Sequence, residues 1–190
     1  MMERLPVIIF ILSMALLVAL EMYRNRRERH DVDASRDDDS LKLIARCRNA
    51  AFLIGILATF FPVVQLPGPR NYQWLAGAGL VFSGVLLRFC AISSLGPWFA
   101  SVVVFQDSQK LIKKGPYKYI RHPAYAGAYL VFLGFGIATG SALGLVIIMV
   151  LILYSFSRRI KVEEKLMVEC LGDEYRNYIQ STKKIIPFIY

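Results

Sequence analysis

Residues 115–127 read Gly-Pro-Tyr-Lys-Tyr-Ile-Arg-His-Pro-Ala-Tyr-Ala-Gly, with one of the chain's two histidines at their centre. An imidazole can bind or exchange a proton near neutral pH. The neighbouring guanidinium of Arg121 can grip an anion through a two-pronged fork. A second set of groups able to do chemistry, Arg159, Glu163 and Glu164, follows more than thirty residues later. Arg159 and Glu163 are four apart, so on a helix they share a face. Taken singly, each group has an ordinary explanation. Arg121 reads as a charge that fixes membrane topology, His122 as a polar surface residue and Tyr125 as an interfacial aromatic. The acidic pair reads as a solvated helix face with one ion pair. The chemical reading depends on the two clusters meeting.

The elements between them make them meet. Five apolar runs occur: Leu5–Leu20, about Asn49–Leu66, about Trp74–Leu95, Ala124–Thr139 and Ala142–Phe156. Each approaches the roughly 17–25 residues of a membrane-spanning helix. Pro62 is placed to kink the far end of the second, and Leu66-Pro67-Gly68-Pro69 is a turn signal. Pro123 suits the first turn of the fourth helix. Only Gly140-Ser141 separates the last two runs, which predicts a tight antiparallel hairpin. Its two free ends return to one membrane face, bringing His122 and Tyr125 beside Arg159, Glu163 and Glu164. Gly136, Gly140 and Gly144, four apart, would let helix backbones approach near the turn, although Gly140 could equally just mark the turn.

Composition supports a membrane protein. The chain has 190 residues, 56% of them hydrophobic, with a mean hydropathy of +0.46. Twenty of the 23 basic residues fall in three segments, 24–48, 96–123 and 158–190. With five spans and the N-terminus outside, all three are cytoplasmic, which is a positive-inside pattern. That accounts for the net charge of +9 without nucleic acid. The basic residues follow Leu5–Leu20 rather than precede it, favouring a retained span over a signal peptide. Asp37-Asp38-Asp39 reads as a solvated turn. Trp98 and Phe99 read as interfacial anchors. Arg88, the one charge inside a span, is placed either to snorkel to the surface or to meet an anionic ligand. Cys47, Cys90 and Cys170 have neither a disulfide framework nor metal-ligand spacing, so no metal is expected. Gly77-x-Gly79 and Gly134-x-Gly136 lie inside apolar runs, which excludes a Rossmann nucleotide loop.

The segment Arg121-His122-Pro123-x-Tyr125-x-Gly127, followed by a hydrophobic stretch and Glu163-Glu164, resembles the isoprenylcysteine carboxyl methyltransferase family. Related phospholipid N-methyltransferases share much of the pattern. Leu111–Tyr117, Gly172-Asp173-Glu174-Tyr175 and Pro187 extend the resemblance over about residues 95–187. It implies an all-α integral membrane enzyme of about five transmembrane helices in a single domain, 1–190. Residues 1–95 would form three N-terminal spans and 96–190 the cofactor-binding catalytic half. S-adenosyl-L-methionine would lie among the loop, the inner end of the hairpin and the C-terminal helix. Its implied contacts are Lys113, Gly115, Tyr117, Arg121, His122, Pro123, Tyr125 and Glu164. Arg159 and Glu163 are the implied catalytic residues, Arg159 pairing with an anionic acceptor. The implied partners are membrane lipid and a lipophilic or prenylated substrate.

A sulfonium already carries its own activated leaving group, and a carboxylate acceptor needs no base. Proximity, alignment and a dry site then suffice. An amine acceptor would need a base, for which Glu163 is available. Sterol-type reductases using NADPH carry a similar Arg-His-Pro-x-Tyr segment, but in many an acidic residue follows the glycine, where this chain has Ala128. A non-enzymatic membrane scaffold is the remaining class, and retention of the whole motif set argues against it.

Overall fold

The computed structural model describes residues 39–61, 63–96 and 111–185. The first apolar run, Pro62, Trp98, Phe99 and Pro187 lie outside the described residues. Those described form helices α1 (Ser40–Phe60), α2 (Arg70–Leu95), α3 (Pro123–Thr139), α4 (Ala142–Leu171) and α5 (Asp173–Ser181), with a 3-10 turn at Gly115–Lys118 before α3. α1, α2 and α4 are long and apolar enough to cross a membrane; α3 is apolar but has 17 residues. Large apolar side chains such as Leu53, Phe82, Phe89, Val150 and Leu153 point outward, as lipid-facing residues do. The chain is a multi-pass integral membrane protein.

Two boundaries differ from the expectation, for physical reasons. α1 covers Ser40–Phe60, not Asn49–Leu66. It begins nine residues early because a helix continues past its apolar part when its polar turns find partners. It ends at Phe60 because Phe61 precedes Pro62, and a residue before proline is pushed out of the helical region; Phe61 has φ −127° and ψ 69°. α4 runs on from Phe156 to Leu171, 30 residues in all. That is about 45 Å at the usual helical rise, against an apolar bilayer core of roughly 30 Å. Its last turns therefore project beyond the membrane and carry Arg159, Glu163 and Glu164.

α2 and α3 make the closest approach. Gly77 faces Gly134 and Gly84 faces Gly127. A β-carbon on Gly84 would sit 2.5 Å from the Gly127 carbonyl, and one on Gly127 would sit 2.5 Å from that of Gly84. This refines the expectation about Gly136, Gly140 and Gly144. Gly136 does face α4 at Leu145, but Gly144 packs against Ala58 of α1, and Gly140 ends α3 at φ +74°. α1 lies along α4 and α3 through Ala51, Phe132, Ile148, Ile152 and Phe156. At the end opposite the site, the chain before α2 is pinned to the α3–α4 turn. Leu66 N–H donates to Gly140 O at 2.8 Å and Ala142 N–H to Val64 O at 2.7 Å.

Candidate active site

The site forms where the first turn of α3 meets the projecting part of α4. Pro123 occupies the first helical position and His122 the cap, with no capping bond from its side chain, so the imidazole turns across to α4. Successive residues of an α-helix are about 100° apart. Glu163 and Glu164 therefore reach different partners. Glu163 Oε1 accepts from Tyr125 O–H at 2.6 Å and from Arg159 Nε at 3.0 Å. Glu164 Oε1 accepts from Arg121 Nε at 2.9 Å and lies 3.2 Å from His122 Nε2. His122 Nδ1 is 3.7 Å from Glu163 Oε2, and Lys184 Nζ is 3.7 Å from Glu164 Oε2.

The ordinary explanations of the single residues fail on burial. Arg121 is 8% exposed, His122 7% and Arg159 only 1%. A buried charge is tolerated only when paired and hydrogen-bonded. Arg121 meets that condition by donating also to the carbonyls of Ile179, at 3.1 Å, and Thr182. Arg159 meets it with Glu163 and, through Nη1, Ser40 Oγ at 2.9 Å.

The C-terminal segment closes the arrangement through the backbone. Arg121 N–H donates to Lys183 O at 2.8 Å and His122 N–H to Lys184 O at 2.9 Å. Ile120 and Lys183 form a parallel bridge. Tyr178 O–H donates to the Tyr117 carbonyl at 2.6 Å, tying α5 to the 3-10 turn. Burial pushes the Tyr178 phenol up to about 12, the charge of Arg121 opposing, so it stays a donor at neutral pH. For Glu164, burial raises the pKa most among single causes. The hydrogen bonds and charges of His122 and Arg121 together outweigh it and hold the carboxyl at about 2.

Among the sequence candidates, Arg121 and His122 gather on Glu164 and Tyr125 and Arg159 on Glu163; the two groups meet at the 3.7 Å contact of His122 with Glu163, and Pro123 is buried beside them. Tyr117 joins through Tyr178. Gly115, at φ +57°, passes close to Ser94 of α2. Lys113 is exposed at the rim, 3.5 Å from Glu174. Arg88 neither snorkels alone nor stands apart: its Nη1 donates to Ala124 O at 3.0 Å, in the first turn of α3. Sequence reasoning missed Ser40, Tyr178, Thr182 and Lys184. Tyr175 and Tyr178, both buried on the short polar helix α5, were a readable signal; Ser40 had none. The cluster places carboxylates beside fixed cations at a buried, lipid-adjacent position. It can therefore hold a ligand bearing charges of both signs and orient an anion next to it.

A family model described as phospholipid methyltransferase matches residues 72–174. Protein-S-isoprenylcysteine O-methyltransferase B of Arabidopsis thaliana is 28% identical over 160 residues, covering 82% of this chain and 81% of the relative. The protein-S-isoprenylcysteine O-methyltransferase of Schizosaccharomyces pombe is 30% identical over 150 residues, covering 78% of this chain and 58% of the relative. The fold is similar to that of a solved eukaryotic intramembrane Ras methyltransferase, isoprenylcysteine carboxyl methyltransferase. The TM-score is 0.61 at 23% identity, over 76% of this chain and 52% of the other, so this chain spans about half of that protein. The curated relatives named above are isoprenylcysteine methyltransferases, to which this chain is similar, and the chain belongs to the phospholipid methyltransferase family.

Proposed function

We propose that the chain transfers a methyl group from S-adenosyl-L-methionine to the carboxylate of an isoprenylcysteine or a similar lipophilic acid at the cytoplasmic membrane face. One observation carries this reading: Glu163, bound to Arg159 and Tyr125, and Glu164, bound to His122 and Arg121, converge on the first turn of α3 with His122 between them. The donor set fits the cofactor, which bears a sulfonium, an ammonium and a carboxylate. Half-buried carboxylates suit the first two, and His122, Arg121 and Lys184 suit the third. When bound, the cofactor supplies the methyl group on an activated leaving group.

The chain's own residues do the rest. His122, held by Glu164 and by its backbone bond to Lys184, fixes the donor end of the site. Gly115 and Tyr117 wall it from the loop side, with Lys113 at the rim. Tyr125, clamped by Glu163, forms the wall towards lipid. Arg159 offers a guanidinium to the acceptor carboxylate, and Glu163 fixes its direction. No proton need move for a carboxylate acceptor, so alignment and exclusion of water are the protein's contribution. The apolar tail of the substrate lies among the lipid-facing helices.

The test is methyl transfer from labelled adenosylmethionine by the purified protein. A farnesylated cysteine analogue should be methylated and phosphatidylethanolamine should not. The reverse preference would make the chain an N-methyltransferase with Glu163 as base. Calorimetry showing NADPH binding without adenosylhomocysteine binding would sink methyl transfer altogether.

A further inference from the structure

We propose that Ser40, which lies outside the family-matched residues 72–174, is a positioning residue that fixes the plane of the Arg159 guanidinium. The inference rests on the assignment of Arg159 to the acceptor carboxylate. Arg159 Nη1 donates to Ser40 Oγ at 2.9 Å, across 119 positions of sequence. Both residues are nearly sealed from solvent, Ser40 at 3% and Arg159 at 1%.

The geometry argues that this contact orients rather than merely fills. Glu163 holds Nε from the same helix, four residues on. Ser40 holds a different nitrogen from a different helix. A guanidinium is planar, and two acceptors on two of its nitrogens fix both its rotation and its tilt. A carboxylate docks on that fork in its plane. Ser40 therefore sets the line along which an acceptor oxygen faces the methyl donor.

The local fold is built to deliver Ser40 there. α1 starts well before its apolar part, at Ser40 itself. The chain enters it through Asp39 at φ 51° and ψ 14°, a left-handed conformation that aspartate tolerates better than most residues. Asp39 then stays at the surface, paired with Lys42, while the next side chain turns inward.

Ser40→Ala keeps the charge of Arg159 and removes the anchor that α1 supplies to it. Acceptor kcat/KM should fall about ten- to a hundredfold, the range for a displaced reacting group. Adenosylhomocysteine affinity should stay at the parent value, while the thermal midpoint in detergent should fall by only the few degrees expected for one lost bond to a buried charge. Ser40→Thr, which keeps the hydroxyl, should recover most of the loss. Independently of activity, the Arg159 Nε–H resonance in protein carrying 15N-arginine, assigned by its loss in Arg159→Lys, should exchange faster with water in Ser40→Ala. An unchanged resonance in Ser40→Ala overturns the inference, whether or not the parent methylates anything. Unchanged kcat and KM in an active enzyme overturn it too. A parent protein inactive on both acceptors would instead refute the proposed function, leaving the resonance to decide the role of Ser40.

Discussion

His122, buried, and Glu164, half-buried, hold one another in place. Removing the imidazole leaves Glu164 facing Arg121 and Lys184 alone. His122→Ala should weaken adenosylhomocysteine binding on the order of tenfold, as expected for a lost hydrogen bond to a charged group, measured by calorimetry. Arg159→Ala should act differently, lowering turnover on the order of a hundredfold while cofactor affinity changes little. Arg159→Lys should rescue poorly, because an ammonium cannot reproduce the fork. Acid behaviour follows from Glu164. Its folded pKa of about 2 lies below the ordinary value of 4.5, so the unfolded chain binds the extra proton first. The stabilisation is complete above about pH 4.5 and is lost as pH falls from there towards 2. Thermal midpoints in detergent across that window should decline less in Glu164→Gln than in the parent; parallel declines would show that Glu164 is not the group responsible.

At the scale of elements, the site depends on how closely α2 holds α3. A methyl at Gly84 would meet the Gly127 carbonyl at 2.5 Å, whereas one at Gly79 meets nothing within 4 Å. Gly84→Ala should therefore cost about 1–3 kcal/mol of stability, the usual range for overpacking, and weaken cofactor binding through the first turn of α3. Gly79→Ala should be neutral or slightly stabilising, since glycine is the poorer helix former. Equal midpoints for the two variants would refute the packing argument. A chain ending at Ser181 loses the Thr182 carbonyl that the Arg121 guanidinium uses and the Lys183 and Lys184 carbonyls that the Arg121 and His122 backbone N–H groups use, and should fail to bind adenosylhomocysteine. The sequence made part of this readable. Apolar runs and a two-residue turn placed the α3–α4 pair, and that pair placed His122 opposite Glu163 and Glu164. The start of α1 was not readable, because apolar periodicity sees only the lipid-facing part of a helix and Ser40 lies in its polar turns. The glycine contacts were also hidden: Gly77 and Gly84, like Gly127 and Gly134, are seven apart, but their pairing depends on a register that no single stretch displays.

At the scale of the whole molecule, the two ends of the bundle differ sharply in charge. Among the described residues, Arg70 is the one basic residue at the end bearing the α3–α4 turn. The site end carries Lys42, Arg46, Arg48, Lys113, Lys114, Lys118, Arg158, Lys161, Lys165, Lys183 and Lys184 besides the arginines of the cluster. Basic residues near span ends resist translocation, so this asymmetry predicts that the site faces the cytoplasm. The proposed function asks for the same orientation, since adenosylmethionine is a cytoplasmic metabolite and under that proposal has to reach His122 from the aqueous side. Cys170 is exposed on the projecting part of α4, and Asn71, exposed at the start of α2, can be changed to cysteine as its counterpart. A maleimide that cannot cross membranes should label Cys170 only in inverted vesicles, and Asn71→Cys only in right-side-out ones, with Cys90 replaced by serine in both and Cys170 replaced by serine in the second. Labelling of Asn71→Cys from the cytoplasmic side would invert the topology, and cofactor access through the loop before α3 would have to be abandoned with it.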